Sequence, residues 1–239
     1  MNDLLQSVLD ASGGLAPWRG LTTVTARIKY GGPFWAMKGQ PGFVGAAQVE
    51  ADVHTERISH RHESTGLVTH YDRTADQVTV TSVDGTTDVL RQPRESLRGA
   101  SLETPWTAAQ TAYFRGYGTW HYLVEPFVLT FPGVRAREAE SWVEGGATWR
   151  TLDVTFPPGI DVHSTTQRYY FDAAFHLRRM DYQPEVVGSA PTAHYILEDA
   201  EIDGIVVPTR RTIHTRNEDR TADRGQAVIT LDLSEIHLV

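Results

Sequence analysis

The chain contains no cysteine. A disulfide framework, a thiolate zinc site and a cysteine nucleophile are excluded together. Lysine is nearly absent as well. Lys29 and Lys38 are the only two, and arginine supplies the rest of the 22 basic residues. We ascribe that bias to genomic base composition rather than to chemistry. Asp and Glu number 30, and the resulting charge of −8 argues against a nucleic-acid groove or an anionic membrane surface as the main partner. No run approaches the roughly 20 apolar residues that span a bilayer, so membrane insertion is not expected. The opening MNDLLQSVLDASGG has no basic n-region, and Asp3, Gln6 and Asp10 interrupt its apolar part. It does not read as a signal peptide, and the expected location is cytoplasmic. Serine-nucleophile signatures, GxGxxG and P-loop motifs are missing too.

What is present is an ordinary globular composition of 239 residues, 40% hydrophobic and 22% charged. An all-β fold of that length is commonly one domain, and nothing marks a boundary, so residues 1–239 are expected to form one unit. Leu4, Leu5, Val8 and Leu9 share one face of a short helix that Gly13-Gly14 stops. Strand-like alternation follows. Val24, Ala26, Ile28 and Tyr30 face one way. Ala47, Val49, Ala51 and Val53 do the same in a run over 46–63, whose shift to Ile58 predicts a bulge. Asp84-Gly85 and Asp203-Gly204 are hairpin turns, and Ala173-Ala174 marks another. The tally is about ten strands.

Residues 105–125 break the β pattern. Trp106, Ala109, Tyr113, Tyr117 or Trp120, and Val124 recur at helical steps, and Pro126 ends the run. Gly116 and Gly118 are expected to weaken or kink this helix by about 1 kcal/mol each. Sequential hairpins without βαβ alternation give a mainly β, α+β fold with an antiparallel sheet and two or three helices.

Two segments carry a resemblance. ASGGLAPWRGLTTVTARI resembles the helix, Gly-Gly, helix-turn and first strand of LolA/LppX-like proteins. YYFDAAFHLRRMDY and AHYILEDAEIDGIVVPTRR resemble their late hairpins, with a DGI-x-x-P element. Together they are similar to a soluble bacterial branch of that superfamily. The resemblance implies a strongly curved sheet, an incomplete barrel, with helices plugging its mouth. It also implies a hydrophobic or amphipathic ligand held between sheet and helix. An export signal, usual in the periplasmic carriers, is not recognised here.

A helix this rich in aromatics has too much apolar surface for solvent, and a concave sheet is its natural partner. The expected cavity walls are Trp35, Trp106, Tyr113, Tyr117, Trp120, Tyr169 and Tyr182. His121, on the aromatic helix, is a candidate for orienting a polar end. His163, Asp181, Tyr182 and His194 lie on segments that a meander could bring together, and a His–carboxylate couple is the minimal general-base pair. His60 and His62, with His54 and Glu56, have the composition of a zinc site. Opposed to Val49 and Ala51 on one continuous strand, they read instead as a solvated face, and no metal or cofactor is expected. Arg178-Arg179 and Arg210-Arg211 read as cross-strand ion pairs. The leading expectation is a carrier of a small apolar molecule. The alternative is a cofactor-free isomerase, cyclase or lyase using a His/Asp pair in the same cavity.

Overall fold

The structure, a computed structural model, describes residues 2–239. Its frame is one antiparallel sheet of 13 strands in the order β6-β5-β4-β3-β2-β1-β13-β12-β11-β10-β9-β8-β7. The chain runs outward from β1 (Thr23–Gly31) through β2 (Gly45–Asp52), β3 (Arg57–His62), β4 (Val68–Asp72) and β5 (Gln77–Thr81) to the edge strand β6 (Thr87–Arg91). It then crosses the open side as a helix. It re-enters at the other edge with β7 (Arg135–Glu144) and returns through β8 (Ala147–Thr155), β9 (Thr166–Phe171), β10 (Leu177–Tyr182), β11 (Thr192–Ile202) and β12 (Ile205–Thr215). Finally β13 (Ile229–Leu238) pairs with β1 and joins the two meanders. The sheet does not close, since β6 and β7 remain edges.

Four α-helices accompany it: α1 (Asp3–Ala11), α2 (Leu15–Arg19), α3 (Phe34–Met37) and α4 (Ala108–Leu123). Among the described residues, no helix is long and apolar enough to cross a membrane. The Asn2 side chain caps α1, whose Leu4, Leu5, Val8 and Leu9 are buried as their spacing predicts. Thr107 and Gln110 form a reciprocal capping box that starts α4.

Helix α4 packs against β3, β4, β5 and β6 on one side and against β12 on the other. It also meets strands in between, Thr119 at the Tyr30 hydroxyl of β1 and Trp120 at the Asp52 carbonyl of β2. The sheet curls around the helix. Every residue from Thr111 to Leu123 is consequently buried, so α4 is a core helix rather than a lid with a wet face. Gly116 and Gly118 do not interrupt it.

Two expectations change here. The run over 46–63 is two strands, β2 and β3, joined by a tight turn at 53–56, not one bulged strand. Reversing the chain puts His60 opposite Val49 and His62 opposite Ala47. Paired residues share a face, so both histidines point inward and are buried. The strand count also rises from about ten to 13. The additional strands include β4 and the edge strand β7, whose RAREAESWVE lacks an apolar alternation to announce it.

Candidate functional site

The concave side holds a cavity of about 330 Å³. One wall is the middle of the sheet: Tyr30 on β1, Ile213 and Thr215 on β12, Ile229 and Leu231 on β13, and Tyr182 on β10. The period of two places each of these side chains on the inner face. Facing them, α4 contributes Phe114, Arg115, Gly118, Thr119 and Tyr122, a stripe of three- and four-residue steps. Phe34 and Trp35 of α3 close one end, and Pro184, Val187 and Pro191 another. Lys38 anchors the loop that brings Leu102 to the cavity, its Nζ donating to the carbonyls of Ser101 at 2.8 Å and Leu102 at 2.7 Å. Gly118 matters by its smallness. A Cβ there would already touch the His163 ring at 3.4 Å, so a larger side chain would occupy the cavity.

A chain of buried hydroxyls and imidazoles runs behind and through this wall. Tyr117 Oη lies 3.0 Å from His163 Nδ1, and His163 Nε2 lies 2.6 Å from Tyr122 Oη. Tyr122 Oη is 3.3 Å from Tyr182 Oη, which is 3.1 Å from His194 Nδ1. One direction of donation satisfies the series. Tyr117 donates to His163, His163 to Tyr122, Tyr122 to Tyr182, and Tyr182 to His194. Burial, reinforced by positive neighbours, holds His163 and His194 well below the usual imidazole range. Burial raises the phenols of Tyr117, Tyr122 and Tyr182. At neutral pH every member is uncharged.

Of the expected residues, Trp35, Tyr182 and His163 line the cavity. Tyr117 and His194 stand one hydrogen bond behind its walls. Trp106, Tyr113, Trp120 and Tyr169 are elsewhere in the core. Trp106 stacks its ring beneath Lys38 Nζ at 4.5 Å. Tyr113 donates to Asp161 at 2.8 Å, Trp120 donates to the Asp52 carbonyl at 2.7 Å, and Tyr169 Oη lies 2.7 Å from His121 Nε2. The reason is that α4 is buried all round. The row Tyr113, Gly116, Trp120 meets β2 and β4, while the cavity takes the row Phe114, Gly118, Tyr122.

Asp181 is the clearest correction. Along β10 it has the parity of Arg179, opposite to Tyr182. Its carboxylate accepts from Arg179 Nε at 2.6 Å and from Tyr170 at 2.7 Å, away from the cavity. No His163–Asp181 or His194–Asp181 couple forms; His194 meets Tyr182 instead. His121 sits off the cavity walls, 3.3 Å from Glu125, with its pKa lowered by burial to about 3. The paired arginines do form ion pairs. Arg178 bridges Asp172 and Asp199, Arg210 bridges Glu198 and Asp232, and Arg211 meets Glu125.

Sequence reasoning passed over Tyr30, Phe34, Phe114, Arg115, Tyr122 and His214, all of which line the cavity. The available signal was Gly118, a residue without a side chain set between two aromatics one turn away on either side.

No protein-family model matches the chain, and no curated protein matches it in sequence. Solved structures do resemble it. A LolA superfamily protein from Nitrosomonas europaea aligns with a TM-score of 0.54 at 14% identity, over 98% of this chain and 93% of that one. A domain from Vibrio parahaemolyticus, named for outer membrane lipoprotein sorting, gives 0.53 at 9% identity, over 99% of this chain and 91% of that one. Such low identities speak to architecture alone, and the architecture is clear: this chain has the fold of the LolA superfamily, an open curved sheet wrapped around a central helix.

Proposed function

We propose that this protein binds and carries a small hydrophobic or amphipathic molecule in the cavity between α4 and the centre of the sheet. The observation that carries the reading is the cavity itself. About 330 Å³ remains open between α4 and the sheet, walled by Phe34, Trp35, Phe114, Ile213, Ile229 and Leu231. That is the lower part of the roughly 300–1,000 Å³ range of small-molecule sites. Apolar burial would drive binding at about 25 cal/mol per Å² of ligand surface. The neighbouring fold named for lipoprotein sorting supports a carrier in general terms. The size suits one short acyl chain or a compact apolar metabolite. A cytoplasmic setting is part of the proposal; fractionating cells that express the natural gene checks it.

Native mass spectrometry of the purified protein, with organic extraction of what it holds, tests the proposal. We expect a bound or loadable apolar compound, and an Ile229→Trp variant of native circular dichroism should hold much less of it. A wild-type protein that neither retains nor takes up any apolar compound would refute the reading.

The enzymatic alternative is weaker. Neither cavity-lining histidine contacts a carboxylate. Both nitrogens of His163 face tyrosine hydroxyls, and His214 Nδ1 faces the Asp223 carbonyl at 3.1 Å. A base oriented by an acid, which that reading needs, is not assembled at the wall.

A further inference from the structure

The loop 156–165, which joins β8 to β9, serves two hollows. His163 lines the carrier cavity. Asp161, two residues earlier, lines a separate cleft of about 470 Å³ together with Arg73, Asp76, Gln92, Arg94 and Glu95. Every residue of this second wall is polar or charged. Asp161 is the most enclosed of them, its side chain 7% exposed. Its Oδ2 accepts from the hydroxyls of Tyr71 and Tyr113, both at 2.8 Å. Its own N–H donates to Glu56 Oε2 at 2.9 Å, which fixes the loop at this point. Oδ1 has no hydrogen-bond partner among the described residues, and Arg73 Nε stands off at 3.4 Å. It is not sealed, as the unpartnered Glu56 Oε1 is, but opens onto the cleft.

Two guanidinium groups flank this carboxylate. Arg94 Nη1 donates to the Val162 carbonyl at 3.1 Å and to Tyr113 Oη at 3.3 Å, and its Nη2 donates to Glu185 at 2.6 Å. Arg73 Nη2 donates to the Pro158 carbonyl at 3.2 Å, and its Nη1 stands 4.0 Å from Asp76. Arg94 Nε and Arg73 Nη1 make no hydrogen bond among the described residues and are open to solvent. Tyr113 Oη touches both Asp161 and Arg94, so carboxylate and guanidinium lie one phenol oxygen apart. Elsewhere in this protein such groups close on each other through two hydrogen bonds, as in Arg27–Glu63, Arg150–Glu138 and Arg168–Asp153. Here the phenol and the loop carbonyls hold the opposite charges side by side without joining them. Glu95 is taken up by Arg98 at 2.7 Å. A ligand of one sign would satisfy one side of the cleft and meet like charge on the other, whereas a ligand of both signs satisfies the two together.

We propose that this cleft binds a small zwitterion, an amino acid-like molecule whose ammonium group meets Asp161 Oδ1 and whose carboxylate meets Arg94 Nε and Arg73 Nη1. The match is one of donors and acceptors as well as of charge. An ammonium brings donors to the one open carboxylate oxygen, and a carboxylate brings two oxygens to two donors on different arginines. The cleft shares no lining residue with the carrier cavity, so the proposal stands independently of the carrier reading.

NMR titration of the isotope-labelled full chain at low salt tests this with three probes on one carbon skeleton: γ-aminobutyrate, butyrate and butylamine. The Nε–H resonance of Arg94 reports on the cleft. We expect γ-aminobutyrate to shift that resonance and to bind about tenfold more tightly than either probe of single charge. In Asp161→Asn its advantage over butyrate should disappear. Butyrate binding the wild type as tightly as γ-aminobutyrate would make the cleft a plain anion site and overturn the proposal. Butylamine doing so would overturn it by removing the arginines from recognition. An Arg94 resonance that no probe shifts would overturn the site itself. These three outcomes are read on the wild type and need no variant to fold. An advantage that survives in Asp161→Asn would overturn the role of Asp161.

Discussion

Gly116 of α4 rides against Tyr71 of β4 so closely that a Cβ on the glycine would stand 2.7 Å from the tyrosine's own Cβ. No rotamer of Tyr71 moves its Cβ, so only a shift of helix or strand makes room. Gly116→Ala therefore sets a gain of about 1 kcal/mol in helix propensity against an overpacking cost of about 1–3 kcal/mol. We expect a net loss of stability. Gly118→Ala is the internal control. Its new methyl would meet the His163 ring at an ordinary 3.4 Å, so the propensity gain should dominate and the protein should be unchanged or stabilised. Urea denaturation of both variants checks the contrast; two equal effects would mean that the helix is not seated on β4 as described.

The same pair of residues shows how far the sequence could be read. The hairpins at Asp84-Gly85 and Asp203-Gly204, the N-terminal helix and the central helix were legible because turn chemistry and periodicity are local. The two glycines looked like breaks in α4 because their use is tertiary: one admits a strand, the other leaves the cavity. His60 and His62 were misplaced for a related reason. Their facing depends on whether the chain turns at 53–56, and a reversal there inverts the inference from their neighbours. Asp181 could have been sorted from Tyr182 by parity alone. The cavity side of α4 was harder to read, since a helix buried on all sides carries no polar stripe and Gly118 between Phe114 and Tyr122 is its one mark.

Glu125 and Arg211 form an ion pair of 2.9 Å with both side chains sealed from solvent. The two partners are not equally forgiving. Burial raises the Glu125 pKa to about 7 even with Arg211 present, so this carboxyl can neutralise itself by taking a proton. The guanidinium has no such exit. Glu125→Gln leaves an enclosed cation facing a neutral amide and should cost about 3–5 kcal/mol. Arg211→Met leaves a carboxyl that protonates, so its cost should be smaller near pH 6 and grow above pH 7. Chemical denaturation of the two variants at pH 6 and pH 8 reads this asymmetry. Equal losses at both pH values would show that the pair is not desolvated.

Six histidines are buried, and in five of them the imidazole is held far below its ordinary pKa. Burial, reinforced by Arg115, lowers His62 to about 3, and burial with Arg211 does the same for His121. His60, His163 and His194 are pushed well below their ordinary value by the same first cause. Each binds a proton near pH 6.5 when unfolded and none when folded. Between that value and the depressed folded one, the unfolded chain thus holds more protons, and stability must fall as pH falls. The stabilisation is complete above about pH 6.5. Glu125 and Glu56 act in the opposite sense. Burial raises both, so the folded state retains their protons after the unfolded state has released them, and stability declines as pH rises from about 4.5 toward 7. The histidines outnumber the two glutamates, so the net slope below pH 6.5 should be positive, about 1.4 kcal/mol per pH unit for each net proton. Unfolding free energy measured by urea from pH 5 to pH 8 should rise steeply to about pH 6.5 and then flatten. Single His→Gln replacements at positions 60, 121 and 194 should each remove part of that slope. A profile flat from pH 5 to pH 8 would mean that these imidazoles reach water, and the sealed core around α4 would have to be redrawn.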